Sequence, residues 1–371
     1  MTEYRVIPWD EACASHGAEW LAIGRERGLN PTLLPDWTRI IVETLTDPRA
    51  VRVLVGTDGA RLVCLLPFHV RHDRVSRIPV RILEPISSVV SYHAELVSRD
   101  EPAELLHALI RTRREIAWDI VRLAGILLES PSARAIVDVA RTESLTLNEW
   151  PGEASPYLHL GNTGEKMLAS RDKRDRYRIR KHAKDFAATP GATERWYGPG
   201  DDMEALLQAI LHVEAGSWKQ AAGVAISADP RETEYCRRLL HWLATTDRLF
   251  ANVYFVGAEP IAYNLSYTWE GTIGCMKGTY LQDFAHLSLG HHAQDEQIFR
   301  FADAGGQECD FLGDAEPYKL GWTATVRRHS DFFLYAPRGR GRLLGFAQRL
   351  RNRLRKADGP EKVPENVSGP V

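Results

Sequence analysis

Cysteine is scarce and scattered in this chain. Cys13, Cys64, Cys236, Cys275 and Cys309 are odd in number, widely separated and never paired as C-x-x-C. That pattern argues against a disulfide framework or a structural zinc site and favours a reducing compartment. Net charge is scarce as well. Forty-seven basic against 49 acidic residues leave −2 over 371 residues, so no global excess announces nucleic acid or membrane, and any such partner has to be met locally. No run reaches the roughly 18 apolar residues of a membrane span. The first thirty residues are broken by Arg5, Asp10, Glu11, Glu19, Arg25 and Glu26, unlike the apolar stretch of a signal peptide, so a cytoplasmic protein is the expectation. G-x-S-x-G, P-loop and G-x-G-x-x-G patterns are missing too, which leaves covalent and dinucleotide chemistry little support. What is present, 44% hydrophobic and 26% charged residues, is enough for one large core or two ordinary ones.

Periodicity predicts a mixed order of elements. A strand over 4–8 precedes helices over 18–27 and 36–45, then a hairpin of 51–55 and 61–70 about Asp58-Gly59, a dipeptide suited to the turn between paired strands. Strands over 80–83 and 94–97, a helix over 102–114, a strand over 120–123 and a helix over 132–142 complete a first block. The Pro and Gly cluster at 151–156 predicts a domain boundary. After it come a strand over 157–160, one long charged helix over 164–186, a strand over 193–197 and a helix over 202–218 capped by Asp201 or Asp202. A helix over 234–245, a three-stranded meander across 249–278, a helix over 289–304 and strands over 308–312 and 330–335 follow.

Four motifs cluster in the second block. Glu214, Ser217, Trp218 and Lys219 spell E-x-x-S-W-K at a helix end. Met276-Lys277-Gly278-Thr279-Tyr280 ends the meander, Ser288-Leu289-Gly290 opens a helix, and Asp310-Phe311-Leu312-Gly313 precedes Glu316, Tyr318, Lys319 and Trp322. Together they resemble the CelD-type, FemAB-related branch of the GNAT acyltransferase superfamily. Asp36-Trp37 and Leu65-Leu66-Pro67-Phe68 extend the resemblance loosely into the first block. It implies an α+β fold of two tandem GNAT-like domains, each a mixed, mostly antiparallel sheet flanked by helices. The division expected is residues 1–150, a catalytic domain over 151–336, and a basic amphipathic helix with a disordered tail over 337–371.

The implied activity moves an acyl group from acyl-CoA, or another thioester, to an amine by direct attack in a ternary complex. Such transfer needs donors for the CoA phosphates, a base for the amine proton and donors near the developing oxyanion. Amides at a helix start can cradle phosphate, which nominates Leu289, Gly290, His291 and His292, or leaves an ordinary glycine turn. Asp310 and Glu316 are candidate bases, Lys277 and Lys319 candidate anion binders, with structural ion pairs as the plain alternative. Tyr280 and Tyr318 join the candidate catalytic set. Glu214, Trp218 and Lys219 are candidate substrate contacts, although Trp218 also suits a core and Lys219 a helix end. No metal is expected, because His286, His291 and His292 diverge around a helix. His291-His292-Ala293-Gln294-Asp295 matches H-H-x-x-x-D-G poorly, with the aspartate one position early, and Cys275 reads as an inert mid-strand thiol.

The family pattern is broken where a proline usually precedes Gly290 and an acidic pair usually follows Tyr280: this chain has Leu289 and Leu281-Gln282. That departure keeps aminoacyl-tRNA, the donor of FemX-type relatives, as an alternative. Charge is segregated locally. Residues 171–184 hold eight basic and two acidic residues, and 338–356 hold eight basic and none acidic. The first stretch suits CoA phosphate, tRNA or an acidic carrier protein, or is a solvated face. The second, with Leu343, Ala347, Leu350 and Leu354 at helical spacing, suits docking on the protein or on anionic lipid. A third alternative is a non-catalytic GNAT-like binding scaffold. The acceptor, a small-molecule or saccharide amine, is not specified further by sequence.

Overall fold

The computed structural model describes residues 2–75, 77–88 and 93–357, with side chains as far as residue 350. The expected tail beyond Asp358 lies outside the described residues. In chain order, the first half comprises β1 (Glu3–Pro8), α1 (Trp9–Glu26), α2 (Pro35–Leu45), β2 (Arg52–Asp58), β3 (Arg61–Val75), β4 (Ile78–Pro85), β5 (Val97–Ser98), α3 (Ala103–Arg111), β6 (Ile120–Leu127), α4 (Pro131–Thr142) and β7 (Thr146–His159). The second comprises α5 (Gly164–Ser170), α6 (Lys173–Ala187), β8 (Ala192–Tyr197), α7 (Met203–Ala215), α8 (Trp218–Ala221), α9 (Pro230–Thr245), β9 (Leu249–Val256), β10 (Glu259–Trp269), β11 (Thr272–Tyr280), α10 (Leu289–Asp303), β12 (Glu308–Asp310), α11 (Pro317–Leu320), β13 (Val326–Tyr335) and α12 (Gly339–Ala357).

Each half repeats one plan. An antiparallel meander, β1-β2-β3-β4 or β8-β9-β10-β11, is followed by a helical crossover, α3 or α10, to a parallel neighbour, β6 or β12. Gly59, with φ 60°, makes the β2–β3 turn that Asp-Gly predicts. The halves then exchange their last strands. The sheet order β6-β13-β7-β12 places β13, from the end of the chain, beside β6 of the first half, and β7 beside β12 of the second. One mixed sheet flanked by helices therefore runs through the molecule, and the sequence-expected fold class is the one observed.

Several local expectations need correcting. Pro151 to Pro156 do not form a linker: residues 151–156 pair with 326–330 of β13, so the expected 150/151 boundary falls inside β7. Glycine and proline there read as punctuation only until the partner strand is known. The helix expected over 164–186 is two, because Asp172 leaves the helical conformation and its carboxylate accepts the Asp175 N–H at 2.7 Å, capping α6. Asp202 caps α7 likewise, and that helix stops at Ala215, before the short α8. Only Val97 of the strand expected over 94–97 lies in β5.

Apolar burial follows the exchange. Phe332 and Leu334 of β13 are buried in the first half's core with Leu83, Val121 and Ile136, while Trp37 of α2 meets Tyr235 and Trp242 of α9 across the two halves. Because β13 serves both halves, Phe332→Ala should lower global stability by about 3–5 kcal/mol. Urea unfolding followed by tryptophan fluorescence and by far-UV circular dichroism should give one coincident transition; two separated transitions would contradict the shared-strand arrangement.

Candidate active site

The parallel strands β11 and β12 pair only from Thr272 to Gly274 against Glu308 to Asp310. β11 runs on to Tyr280, bonded on its other side to β10, so the two strands part at their C-terminal ends. The crossover helix starts at that same end, with the Tyr280 ring beside Gly290. Carboxyl ends of parallel strands, together with the outward-pointing amides of a helix start, are where α/β sheets place ligand crevices.

Asp310 stands on one lip and is 4% exposed. Its carboxylate accepts hydrogen bonds from His93 Nε2 at 2.7 Å, Arg327 Nη1 at 3.0 Å and the Leu312 N–H at 2.9 Å. Burial pushes its pKa up, but the His93 hydrogen bond, the charges of His93 and Arg327, and the Leu312 amide together hold it below the usual carboxylate range. Beyond it, His93 Nδ1 lies 2.6 Å from His329 Nε2, and His329 Nδ1 lies 3.1 Å from the Glu153 carbonyl. The carbonyl can only accept, so His329 donates through Nδ1 and, when neutral, accepts at Nε2. His93 then donates from both nitrogens. Thus Asp310, expected as a base, is the anionic end of a buried chain joining both halves. Its distant partners, at 93 and 329, have no local signal in the sequence. His93 holds a left-handed backbone, φ 58°, a costly conformation retained where surroundings over-determine it.

Lys319 is buried and donates to the carbonyls of Leu312 and Asp314, at 2.8 and 2.9 Å, and pairs with exposed Glu316 at 3.0 Å. It clamps a turn in which consecutive residues, Leu312 and Gly313, both have positive φ. Glu214, fully buried, accepts from Lys219 Nζ at 3.1 Å, Tyr263 OH at 2.6 Å and the Ile226 N–H at 2.6 Å. Burial lowers the Lys219 pKa; for Glu214 burial acts upward, yet Lys219 and the two donors leave it lowered. The pair lies beneath the surface and not in a crevice, while Trp218 beside it is 57% exposed.

A bulge at Met276, where Leu265 faces Lys277 but Ser266 faces Cys275, turns Met276 and Lys277 together toward α9. There Lys277, Glu232, Tyr235 and Cys236 line a recess of about 20 Å³. Lys277 and Glu232 have no hydrogen bond or close ion pair among the described residues. Burial raises the Glu232 pKa, with Lys277 opposing. Sequence reasoning passed over Glu232, which sits in an otherwise ordinary first helical turn. On the opposite face the Cys275 and Cys309 sulfurs are 3.7 Å apart. A larger cavity, about 150 Å³, belongs to the first half, between β4 and β6, and is lined by Trp20, Glu84, Glu95 and Arg122 among others.

At the helix start, the left-handed residue is Ser288, φ 53°, not Gly290, where a Cβ would meet Tyr280 only at ordinary contact distance. Leu289 is core. His292 packs on Phe186 and Tyr254, and burial holds its pKa down to about 4. His291 stacks on His182 of the basic α6 at 5.8 Å and meets the Tyr318 ring edge-on. Asp295, one turn on and 2% exposed, has no partner for Oδ2 among the described residues, and burial pushes its pKa up to about 7. His291 thus meets Tyr318 at the start of α10, Asp310 and Lys319 are buried at the end of β12 and beneath the turn after it, and Glu214 with Lys219 forms a separate buried pair.

Residues 173–320 match the acetyltransferase (GNAT) domain family model. The matched segment holds β11, α10 and β12. The backbone is similar to the crystal structure of FemX, at 12% identity and a TM-score of 0.58, over 89% of this chain and 96% of that one. It is also similar to a tandem GNAT protein from the clavulanic acid biosynthesis pathway, at 15% and 0.50 over 91% and 100%. A conserved protein of unknown function from Bacteroides thetaiotaomicron aligns at 12% and 0.51 over 90% and 100%. These likenesses show the fold and its two GNAT-like halves. No curated protein matches the chain in sequence.

The buried histidines set an acid limit on the fold. Burial lowers His329, with His93 adding to it, and His292 to about 4. Both stay neutral when folded while an unfolded histidine charges below about pH 6.5. The unfolded chain therefore binds more protons, and stability falls as pH drops from about 6.5 to 4, by up to about 1.4 kcal/mol per pH unit for each group. Urea midpoints at pH 7 and pH 5 should differ accordingly, and His292→Phe should narrow the difference.

Proposed function

We propose that the C-terminal half, residues 151–336, is an N-acyltransferase of the CelD-type, FemAB-related branch. On this reading it moves an acyl group from acyl-CoA to an amine, with residues 1–150 as the supporting half. The observation that carries the reading is the parting of β11 and β12 at the start of α10. The bare edge of β11 beyond Gly274 offers strand-like hydrogen bonds to an extended thioester arm, and the α10 amides face its phosphate end. Basic α6, packed against α10 through His182 and His291, adds positive charge there.

The recess beside β11 supplies the acceptor side. Glu232, whose pKa burial raises, takes the proton as the amine nitrogen attacks the thioester carbonyl. The C–N bond forms, the C–S bond breaks, and the thiol leaves with a proton from Tyr318 or solvent. Lys277 holds an anionic part of the acceptor. Lys319 and Asp310 position the mouth; neither needs to exchange protons with substrate.

The strongest competing donor is aminoacyl-tRNA, favoured by the run of arginines and lysines on α6. Isothermal titration with CoA, acetyl-CoA and a long-chain acyl-CoA separates the two. Micromolar binding supports the thioester donor; absence of binding, together with salt-sensitive retention of tRNA in a gel shift, supports the other. With an accepted amine in hand, Glu232→Gln should cut kcat by about 10²–10⁴-fold with little change in KM for acyl-CoA, and a wild-type rate would remove Glu232 from the mechanism.

A further inference from the structure

Helix α12 has two apolar faces, and only one of them is used. Leu344 is 7% exposed, packed with Tyr335, Ile120, Val80 and Ile82, while Gly341 and Gly345 let the helix sit close: a Cβ on them would press on Asp119 and Thr146. At about 100° per residue, Leu343, Phe346, Ala347 and Leu350 share an arc of roughly 100° on the opposite side. Leu343 and Phe346 are each 66% exposed and Leu350 is 49% exposed. Arg340 borders this stripe on one edge, Arg342 and Arg349 on the other, and residues 338–356 contain no acidic side chain.

The sheet face that meets the helix at Thr146 carries a further exposed aromatic, with Asp331 across from it. Trp150 is four residues along β7 from Thr146, on the same face by the two-residue period of a strand. It is 53% exposed and lies 5.0 Å from Phe333. An exposed apolar stripe bordered by arginines has the composition of a helix lying in a membrane interface. No helix among the described residues is long and apolar enough to cross a bilayer, so the contact is a surface one.

We propose that α12 docks the protein on an anionic lipid surface, with Leu343, Phe346 and Leu350 entering the headgroup boundary and Arg340, Arg342 and Arg349 meeting lipid phosphates. A second copy of this chain fits less well, since a two-fold pairing of the stripe would bring its arginine borders together. A nucleic acid leaves the apolar stripe without a partner.

The test uses the full chain in co-sedimentation with phosphatidylcholine vesicles, with and without phosphatidylglycerol, at low and high salt. Retention on anionic vesicles at low salt is expected, falling at least about ten-fold at high salt as the charges are screened. Phe346→Ser with Leu350→Ser should lower retention about ten-fold while leaving the urea midpoint unchanged, and Arg342→Gln with Arg349→Gln should lower it by about five-fold per arginine. No retention at low salt, or equal retention by the serine variant, would overturn the proposal. So would a dimer in light scattering that the serine variant converts to monomer with no vesicle binding in either form.

Discussion

The backbone ladder between β7 and β13 is the interaction on which the rest depends. Each of these strands completes a sheet begun by the other half, so neither half keeps its last strand to itself. The exchange joins two small sheets into one and removes two edges that would otherwise be open to intermolecular pairing. It also decides where the two halves meet. Because β7 lies against β12, Asp310 at the end of β12 comes within reach of His93 from the first half and His329 from β13.

Charge is handled in two ways around the parting strands. Some ionic groups are spent on shape. Glu214 with Lys219, Asp310 with Arg327 and His93, and Lys319 with the carbonyls of its own turn are buried or half-buried and hydrogen-bonded to one another. Removing one partner would leave the other uncompensated in a poorly solvated place. Others, Lys277 and Glu232 beside the recess, have no hydrogen bond or close ion pair among the described residues, whereas Arg178 and Lys181 of α6 pair with carboxylates on their own helix. A catalyst needs both kinds. The committed set holds loops in strained conformations such as Leu312-Gly313, and the uncommitted set remains able to bind ligand or exchange a proton.

Much of the fold was legible in the chain. The Asp58-Gly59 hairpin, the Asp202 cap, the three-strand meander and the crossover helix beginning at Leu289 all rest on short-range rules that the structure obeys. Errors arose where a local signal had two meanings. The Pro and Gly of 151–156 look like a linker, but β13 makes them strand. The run 164–186 looks like one helix, but the Asp172 carboxylate takes the backbone N–H of Asp175 and divides it. For the candidate site, Asp310, Tyr318, Lys319 and His291 were visible as a motif cluster, and their roles were not. Whether a carboxylate is a base or an anchor depends on what donates to it, and the donors of Asp310 come from positions 93, 312 and 327.

By itself the sequence determined the elements, the repeat of strand-rich blocks and the chemistry available near the second parallel pair, because helix period, turn residues and caps act over a few positions. Tertiary structure alone decided the strand exchange, the His329–His93–Asp310 chain, the facing of Lys277 and Glu232 into one recess, and the bare stripe of α12. The first three are contacts between segments far apart in the chain, and the stripe is what such contacts leave uncovered, so each depends on burial and pairing that exist only once both segments are in place.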